Sequence, residues 1–554
     1  MIRTACALLP LLGSMTRSVG SIVSATMSAT VLRTRTITLS STVALGLTAT
    51  LARAEIPDPV IDLSTLLIRG TATAGEQAAG RLVLAGYDAV VKERLDSLEI
   101  SIMQVAPAKG SGIDAPDPND ILAAVAGIAP PQGLVEVGFA YIFGAGGGQT
   151  GSLWVTRQAP YSNGEFRGQY GAGEIGLTVD GLPSSGRGVI VAVLDSGVVP
   201  VGDLARVALP VSIDTFSGAI PSPGAPTADP GGDGIDSDND GVLDEFVGHG
   251  SFVGSLIALT APEAKQLHVR CVDSDGQTNT VDIARGIQAA INAGAHVINL
   301  SIVVPEDIPH LGAIVNQARQ RGITVVASAG NFPSNVLTYP GSYPSVGSIG
   351  SSVAGLAFST SFATYNPSVD FCAPGETQFV STPFGTQPVD GASIIGIIGA
   401  DPANPQLPRY ATATGSSFSC AWAAGAAALV RSGHPEWPNA KVALVDIGDA
   451  VINRLRATTG GIDIPPGYLG LVGTGILDCV GACAFIAPGS IPVVTSDVDP
   501  AGGVYRIDGA DLAAVLSAWG PVPTGRISYA DLDGNGSVDG ADLAIVLSLW
   551  TVSP

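Results

Sequence analysis

The chain has 554 residues, with 26 basic and 48 acidic side chains, a formal net charge of −22 and only 13% charged residues. Hydrophobic residues make up 46%, too many for an acidic disordered chain, and the glycines follow no three-residue period, which excludes collagen. The negative balance argues against nucleic acid as a partner, because neutralising phosphates takes an excess of Lys and Arg. A length of this order predicts about three or four domains.

Residues 1–54 contain Arg3, Arg17, Arg33, Arg35 and Arg53 and no acid, and the apolar stretch from Thr36 to Leu51 closes on Ala52-Arg53-Ala54. A basic start, an apolar middle and an A-x-A end describe a secretory signal peptide, so a secreted, extracellular product is expected. The stretch is Thr-rich and too short for a span, so no transmembrane anchor is expected in the mature chain.

Residues 55–148 read as a small α+β unit. Arg81 to Val90 and Leu98 to Val105 are strand-like, Asp120 to Ile128 helix-like, and Gly133 to Phe143 strand-like. From Gly188 the pattern changes to short apolar runs alternating with amphipathic ones. Strands are expected at Val189 to Leu194, Gln266 to Val272, His296 to Ser301 and Ile323 to Ser328, with helices at Val281 to Ala293 and Leu311 to Gln320. Strands joined by helices predict an α/β fold with a doubly wound, mostly parallel sheet. The long uncharged run Tyr410 to Val430, with its Gly, Ser and Thr content, reads as a buried helix rather than a membrane span. Cys271, Cys372 and Cys420 lie in apolar segments as small core residues, and Cys479 and Cys483 lack a nearby His for a zinc site.

In open parallel sheets the chemistry collects at the carboxyl ends of the strands. Asp195 closes the run Val-Ala-Val-Leu-Asp, and His249 opens the apolar helical run that continues from Phe252. Asn331 follows the strand ending at Ser328, and Ser417 precedes a very Ala-rich helix. These four residue types suit acyl transfer. A Ser hydroxyl needs a base, His249 can take its proton near neutral pH, Asp195 can hold the imidazole's tautomer, and Asn331 can donate to an oxyanion.

Leu194-Asp195-Ser196-Gly197, His249-Gly250-Ser251, Ala329-Gly330-Asn331 and Gly415-Ser416-Ser417 resemble, in order and spacing, the four signature blocks of the subtilase (subtilisin-like) serine proteases. The flanking Ala295-to-Ser301, Tyr339-to-Val346 and Gly473-to-Asp478 stretches agree, and the resemblance covers about residues 165–490. It implies a secreted serine endopeptidase acting on polypeptides, with Ser417 as nucleophile. A catalytically inactive binding or assembly protein on the same fold is the alternative. Residues 75–143 resemble the subtilase propeptide, which implies synthesis as a precursor. Three departures stand out. Phe252 replaces a His, and Ile302-Val303-Val304 replaces Leu-Gly-Gly beside the substrate backbone, which predicts a narrowed pocket favouring small residues. The short chain between His249 and Gln266 leaves out one loop that binds calcium in bacterial subtilisins.

Two acidic clusters remain. Asp236, Asp238, Asp240 and Asp244 alternate with small residues around Gly241, a spacing that lets a loop wrap a hard cation, so calcium is expected there. Residues 229–245 hold seven acids and no base. At the other end Gly509-to-Trp519 recurs as Gly540-to-Trp550, and Asp531, Asp533, Asn535, Asp539 and Asp542 match a calcium loop more fully. Residues 495–554 therefore resemble a dockerin-type duplicated calcium module, small and all-α, which implies a cohesin-like scaffold or cell-surface partner. The expected organisation is a signal peptide (1–54), an α+β propeptide (55–148), a subtilisin-like peptidase domain (165–490) and the dockerin-like tail (495–554).

Overall fold

The structure, a computed structural model, describes residues 59–484 except 114–115, 127–132, 145–160, 178–181, 183, 210–212, 216–231, 238–240, 345, 383–384 and 435–446, with a few further positions between 516 and 544. The expected signal peptide and nearly all of the expected tail lie outside the described residues.

Residues 59–144 form an α+β unit. Strand β1 (Val60–Gly70) pairs antiparallel with both β3 (Ile100–Pro107) and β4 (Leu134–Gly144), and β2 (Tyr87–Leu95) pairs with β3. Helices α1 (Ala72–Leu84) and α2 (Pro118–Ala126) cover one face. Two readings are corrected here. Val60–Gly70 is a strand that the sequence did not suggest, and Arg81 to Leu84 ends a helix rather than starting a strand. Ala74, Ala78 and Leu82, four residues apart, make a single buried stripe, and the Thr71 side chain accepts the Ala74 N–H as cap. The strand begins only after Gly86, at Tyr87.

The larger unit has a parallel sheet at its centre. Its core strands are β5 (Ile190–Asp195), β6 (Lys265–Arg270), β8 (Val297–Leu300), β9 (Thr324–Ser328) and β10 (Gly347–Val353), in the order β10-β9-β8-β5-β6. Every pair among them is parallel, and β11 (Phe371–Pro374) adds to β10 in the same sense. Val191 and Val193 of β5 enter the core on one face, Ala192 and Leu194 the core on the other. Helices α3 (His249–Thr260) and α6 (Ser416–Gly433) fill the first face, α4 (Thr280–Ala293) and α5 (Pro309–Arg319) the second. The doubly wound, mostly parallel reading is thereby met. The chain leaves β5 for β6 on one side and returns to β8 on the other, so the order reverses at β5. That reversal opens a crevice at the carboxyl end of β5.

Local sequence explains the helices. The Asn279 side chain accepts the Val281 and Asp282 N–H groups at the start of α4, and Gly294 closes it in the left-handed conformation. Small residues let α6 run through the interior: Ala421, Ala423, Ala424, Ala426, Ala427 and Ala428 are all fully buried, as is the large Trp422 among them. The helix starts later than expected, because Tyr410 to Ala413 ends β13 (Asn404–Ala413), hairpin partner of β12 (Ile394–Asp401). Between α3 and β6 there are only four residues, Ala261 to Ala264.

The N-terminal unit sits on the α4–α5 face. Leu95, Leu98, Ile100 and Ile102 share a buried cluster with Ile283, Ile287, Leu311 and Ile314. Strand β7 (Gln277–Asn279) extends the smaller sheet by pairing with β4, and Arg285 Nε contacts Glu93 at 2.8 Å. Among the described residues no helix is long and apolar enough to cross a membrane. The described cysteines are free, with Cys271, Cys372, Cys420 and Cys479 buried, as small core residues should be.

Burial leaves two imidazoles hard to charge. His268, inside the β6–α3 packing, is pushed down to about 3, and His296 to about 4, in both cases first by loss of water. The unfolded chain takes up those protons from about pH 6.5 downward while the native chain does not, so each excluded proton costs about 1.4 kcal/mol of stability per pH unit below that point. Asp370, raised to about 6 by burial, acts in the opposite sense between about pH 4 and 6. Urea unfolding of the Ser417→Ala chain should therefore show falling stability from pH 6.5 to 4, and His268→Gln should flatten that slope by close to one proton. An unchanged slope would contradict it.

Candidate active site

Four sequence-selected side chains are delivered to the crevice by the ends of four elements. Asp195 is the last residue of β5, His249 the first of α3, and Ser417 the second of α6, while Asn331 lies in the loop after β9. None is far from β5, because α3 and α6 pack together on the same face of the sheet.

His249 Nδ1 lies 2.7 Å from Asp195 Oδ1, and both side chains are only 2% exposed. The same carboxylate oxygen accepts the Ser196 N–H at 2.8 Å. In so dry a place a carboxylate contact dictates which ring nitrogen carries the proton: Nδ1 donates to Asp195, leaving Nε2 as the basic nitrogen. The ring plane is fixed by Phe246, stacked at 4.1 Å, and by Phe418 at 5.7 Å. Phe418 follows Ser417, so this contact brings the hydroxyl-bearing start of α6 beside the imidazole. Phe252, at the position where the family pattern has a His, is fully buried and packs on Phe418 at 4.3 Å.

Helix α3 can approach so closely because its second residue is a glycine. A Cβ on Gly250 would stand 2.1 Å from the Gly197 carbonyl oxygen, and its N–H donates to Ser196 Oγ at 3.1 Å. The His-Gly and Asp-Ser-Gly motifs are thus two halves of one contact.

Asn331 is oriented from the start of α6. Its Oδ1 accepts the Ser416 N–H at 2.8 Å and Ser416 Oγ at 2.9 Å, and the Gly330 N–H donates to Ser416 Oγ at 3.2 Å. An N–H can only donate, so the amide must present oxygen to Ser416 and turn its Nδ2 hydrogens the other way. Ser417 is 6% exposed at the N-terminus of an 18-residue helix, where the backbone dipoles favour developing negative charge. Ser301 Oγ donates to the Ser417 carbonyl at 3.3 Å from the end of β8. The roles of Ser301 and Ser416 in shaping the site were not readable from sequence, since their partners lie 116 and 85 residues away, and no motif announced the stack of Phe246 on nearby His249. Only the adjacency of Ser416 to Ser417 gave a hint.

Of the first acidic cluster, Asp236 and Asp244 are described, whereas Asp238 and Asp240 lie outside the described residues. Asp236 accepts the Gly241 N–H, and Asp244 accepts the N–H groups of Asp233 and Gly234. Asp273 and Asp275 take the hydroxyl and N–H of Ser237, tying the loop down just ahead of Phe246. Among the described residues no group of three or more His, Cys, Asp or Glu is placed to hold a metal ion. Asp531, Asp533, Asn535, Asp539 and Asp542 lie outside the described residues.

Residues 186–462, half of the chain, match the model of the Subtilase family. Subtilisin BL of Lederbergia lenta is 30% identical over 267 residues, covering 47% of this chain and 81% of the relative. The M-protease of Shouchella clausii (strain KSM-K16) is 28% identical over 307 residues, covering 54% of this chain and 65% of the relative. Among solved structures, fervidolysin from Fervidobacterium pennivorans, a keratinolytic enzyme related to subtilisin, superposes with a TM-score of 0.55 at 18% identity, over 79% of this chain and 63% of that one. The chain belongs to the subtilase family. It is a serine-type endopeptidase with the subtilisin-like α/β fold.

Proposed function

We propose that Ser417 Oγ attacks the scissile carbonyl of a polypeptide while His249 Nε2 takes its proton and returns it to the leaving amine. Asp195 holds the imidazole and stabilises its charged form, and Asn331 Nδ2 with the α6 N-terminus binds the oxyanion. The buried 2.7 Å contact between His249 Nδ1 and Asp195 Oδ1 carries this reading. Such a pair, closed to water at the reversal point of a parallel sheet, leaves an oriented base whose only task can be on its Nε2 side.

The precursor organisation is proposed on two supports: the A-x-A end at Ala52 to Ala54, for secretion, and the face on which residues 59–144 dock. That face comprises α4, α5 and β7, none of them a strand of the central sheet, so the N-terminal unit can leave without dismantling that sheet. We further propose calcium at the Asp236–Asp244 loop, supported by its acid density and by its short tether to Phe246 and His249. Residues 495–554, with their 31-residue repeat, are proposed to bind a cohesin-like partner.

A fluorophosphonate probe should label the mature chain on Ser417 and block casein hydrolysis, and Ser417→Ala should abolish both. A wild-type chain that hydrolyses casein without being labelled would overturn the assignment. Asn331→Ala should lower kcat about 10²- to 10³-fold with little change in KM, the mark of an interaction made in the transition state. An effect of that size appearing only as a raised KM would assign Asn331 to ground-state binding. Chelation should lower the melting temperature of the mature enzyme, with recovery on adding calcium; melting that is indifferent to both would remove the calcium proposal.

A further inference from the structure

We infer that Val303 closes the recess beside the nucleophile and restricts this peptidase to bonds that follow small residues such as Gly, Ala and Ser. The inference rests on the catalytic roles proposed above.

A carbonyl attacked by Ser417, with its oxygen drawn towards Asn331, has its own Cα one bond away, about 1.5 Å. The side chain on that Cα must therefore start between Ser417 and Asn331 and run out between the two segments bordering them. One is the chain leaving β8, held against the nucleophile by the Ser301 hydroxyl on the Ser417 carbonyl. The other is the loop carrying Gly330 and Asn331.

Side chains alternate along an extended segment. Ile302 and Val304 belong to the core beneath, with α4 and α5. Ser301 and Val303 face the other way, towards the crevice. Val303 Cγ1 lies 3.3 Å from the point where a Cβ on Gly330 would stand, and Phe332 Cδ2 reaches the same point at 3.3 Å. Thr364 Oγ1 approaches it to 2.8 Å, and Gly330 holds φ +112°, so the crowding is met by a residue with no side chain. Val303 is 3% exposed and Phe332 8%. The two β-branched residues of the sequence thus divide their tasks: Val304 is core, and Val303 fills the gap.

This plug is not free to swing aside. A β-branched side chain is stiff at χ1. Its backbone is pinned by the reciprocal Val304–Tyr339 hydrogen bonds, both 2.8 Å, and the opposite wall by Thr364 N–H to the Gly330 carbonyl and Phe332 N–H to Thr364 Oγ1, both 3.0 Å. A methyl-sized side chain fits beside such a wall, whereas a benzyl group must displace it.

The test compares fluorogenic peptides that differ only in the residue before the cleaved bond, Ala, Leu or Phe, with active enzyme counted by fluorophosphonate titration. Wild type should prefer Ala over Phe in kcat/KM by about 10- to 200-fold, the range one misplaced methylene group or more can enforce. Val303→Gly should shift the Phe-to-Ala ratio at least tenfold towards Phe, and Val303→Ala, which keeps backbone order if the glycine variant does not fold, should shift it in the same direction. Titrated wild type that cleaves after Phe as well as after Ala, or variants whose ratio does not move, would overturn the inference while leaving Ser417 as nucleophile. Failure of the probe to label an enzyme that still cleaves would overturn the catalytic reading and this inference with it.

Discussion

One contact organises the site: the hydrogen bond between His249 and Asp195, made where water is excluded. A carboxylate and an imidazole in a dry interior are costly unless each satisfies the other. The fold meets that condition by ending β5 at Asp195 and starting α3 at His249, with Gly250 allowing the helix to press onto Gly197. Phe246 and Phe418 then set the ring plane, and Phe418 brings α6 into register. The long Ala-rich helix follows from the same need. Only small side chains let α6 pass through the core far enough to set Phe418 against His249 and Ser416 against Asn331.

Much of this was legible in the sequence. The parallel sheet shows because β5, β6, β8 and β9 are short, largely apolar runs alternating with helical stretches, of which α4 carries both an Asn279 cap and a Gly294 stop. The four polar site residues show because each sits where a strand ends or a helix begins, which is where side chains can converge. The misread stretches share a physical cause. Arg81 to Leu84 and Tyr410 to Ala413 each lie at the join of a strand and a helix, and a few apolar residues there satisfy either period. What stayed hidden depends on distant partners: the amide orientation imposed on Asn331 by Ser416, and the direction in which Val303 points. Two adjacent valines add volume where the family pattern has glycines; only the alternation of Ile302 and Val304 into the core identifies which one faces the other way.

The N-terminal unit and the acidic loop join the site to the rest of the molecule. Residues 59–144 cover the apolar faces of α4 and α5 and borrow β7 as a fifth strand, so their docking shields surface that the larger unit would otherwise expose to water. Phe246 belongs to the same buried cluster as those helices. The described residues of the loop before it are anchored by the N–H groups of Gly241, Gly234 and Asp244, which donate to Asp236, Asp244 and Asp275; the loop ends on the ring that stacks on His249. The acidity noted at the outset is thus partly local, concentrated in the chain ahead of His249 and in the C-terminal repeat.

The central claim is that the Asp195–His249 contact makes the base. It is tested most directly by kcat of Asp195→Asn at neutral pH, measured on enzyme whose melting temperature matches wild type. An Asn amide can present its N–H to the ring and impose the wrong tautomer, so the account predicts a loss of about 10⁴-fold. Activity within tenfold of wild type in a folded Asp195→Asn enzyme would contradict it.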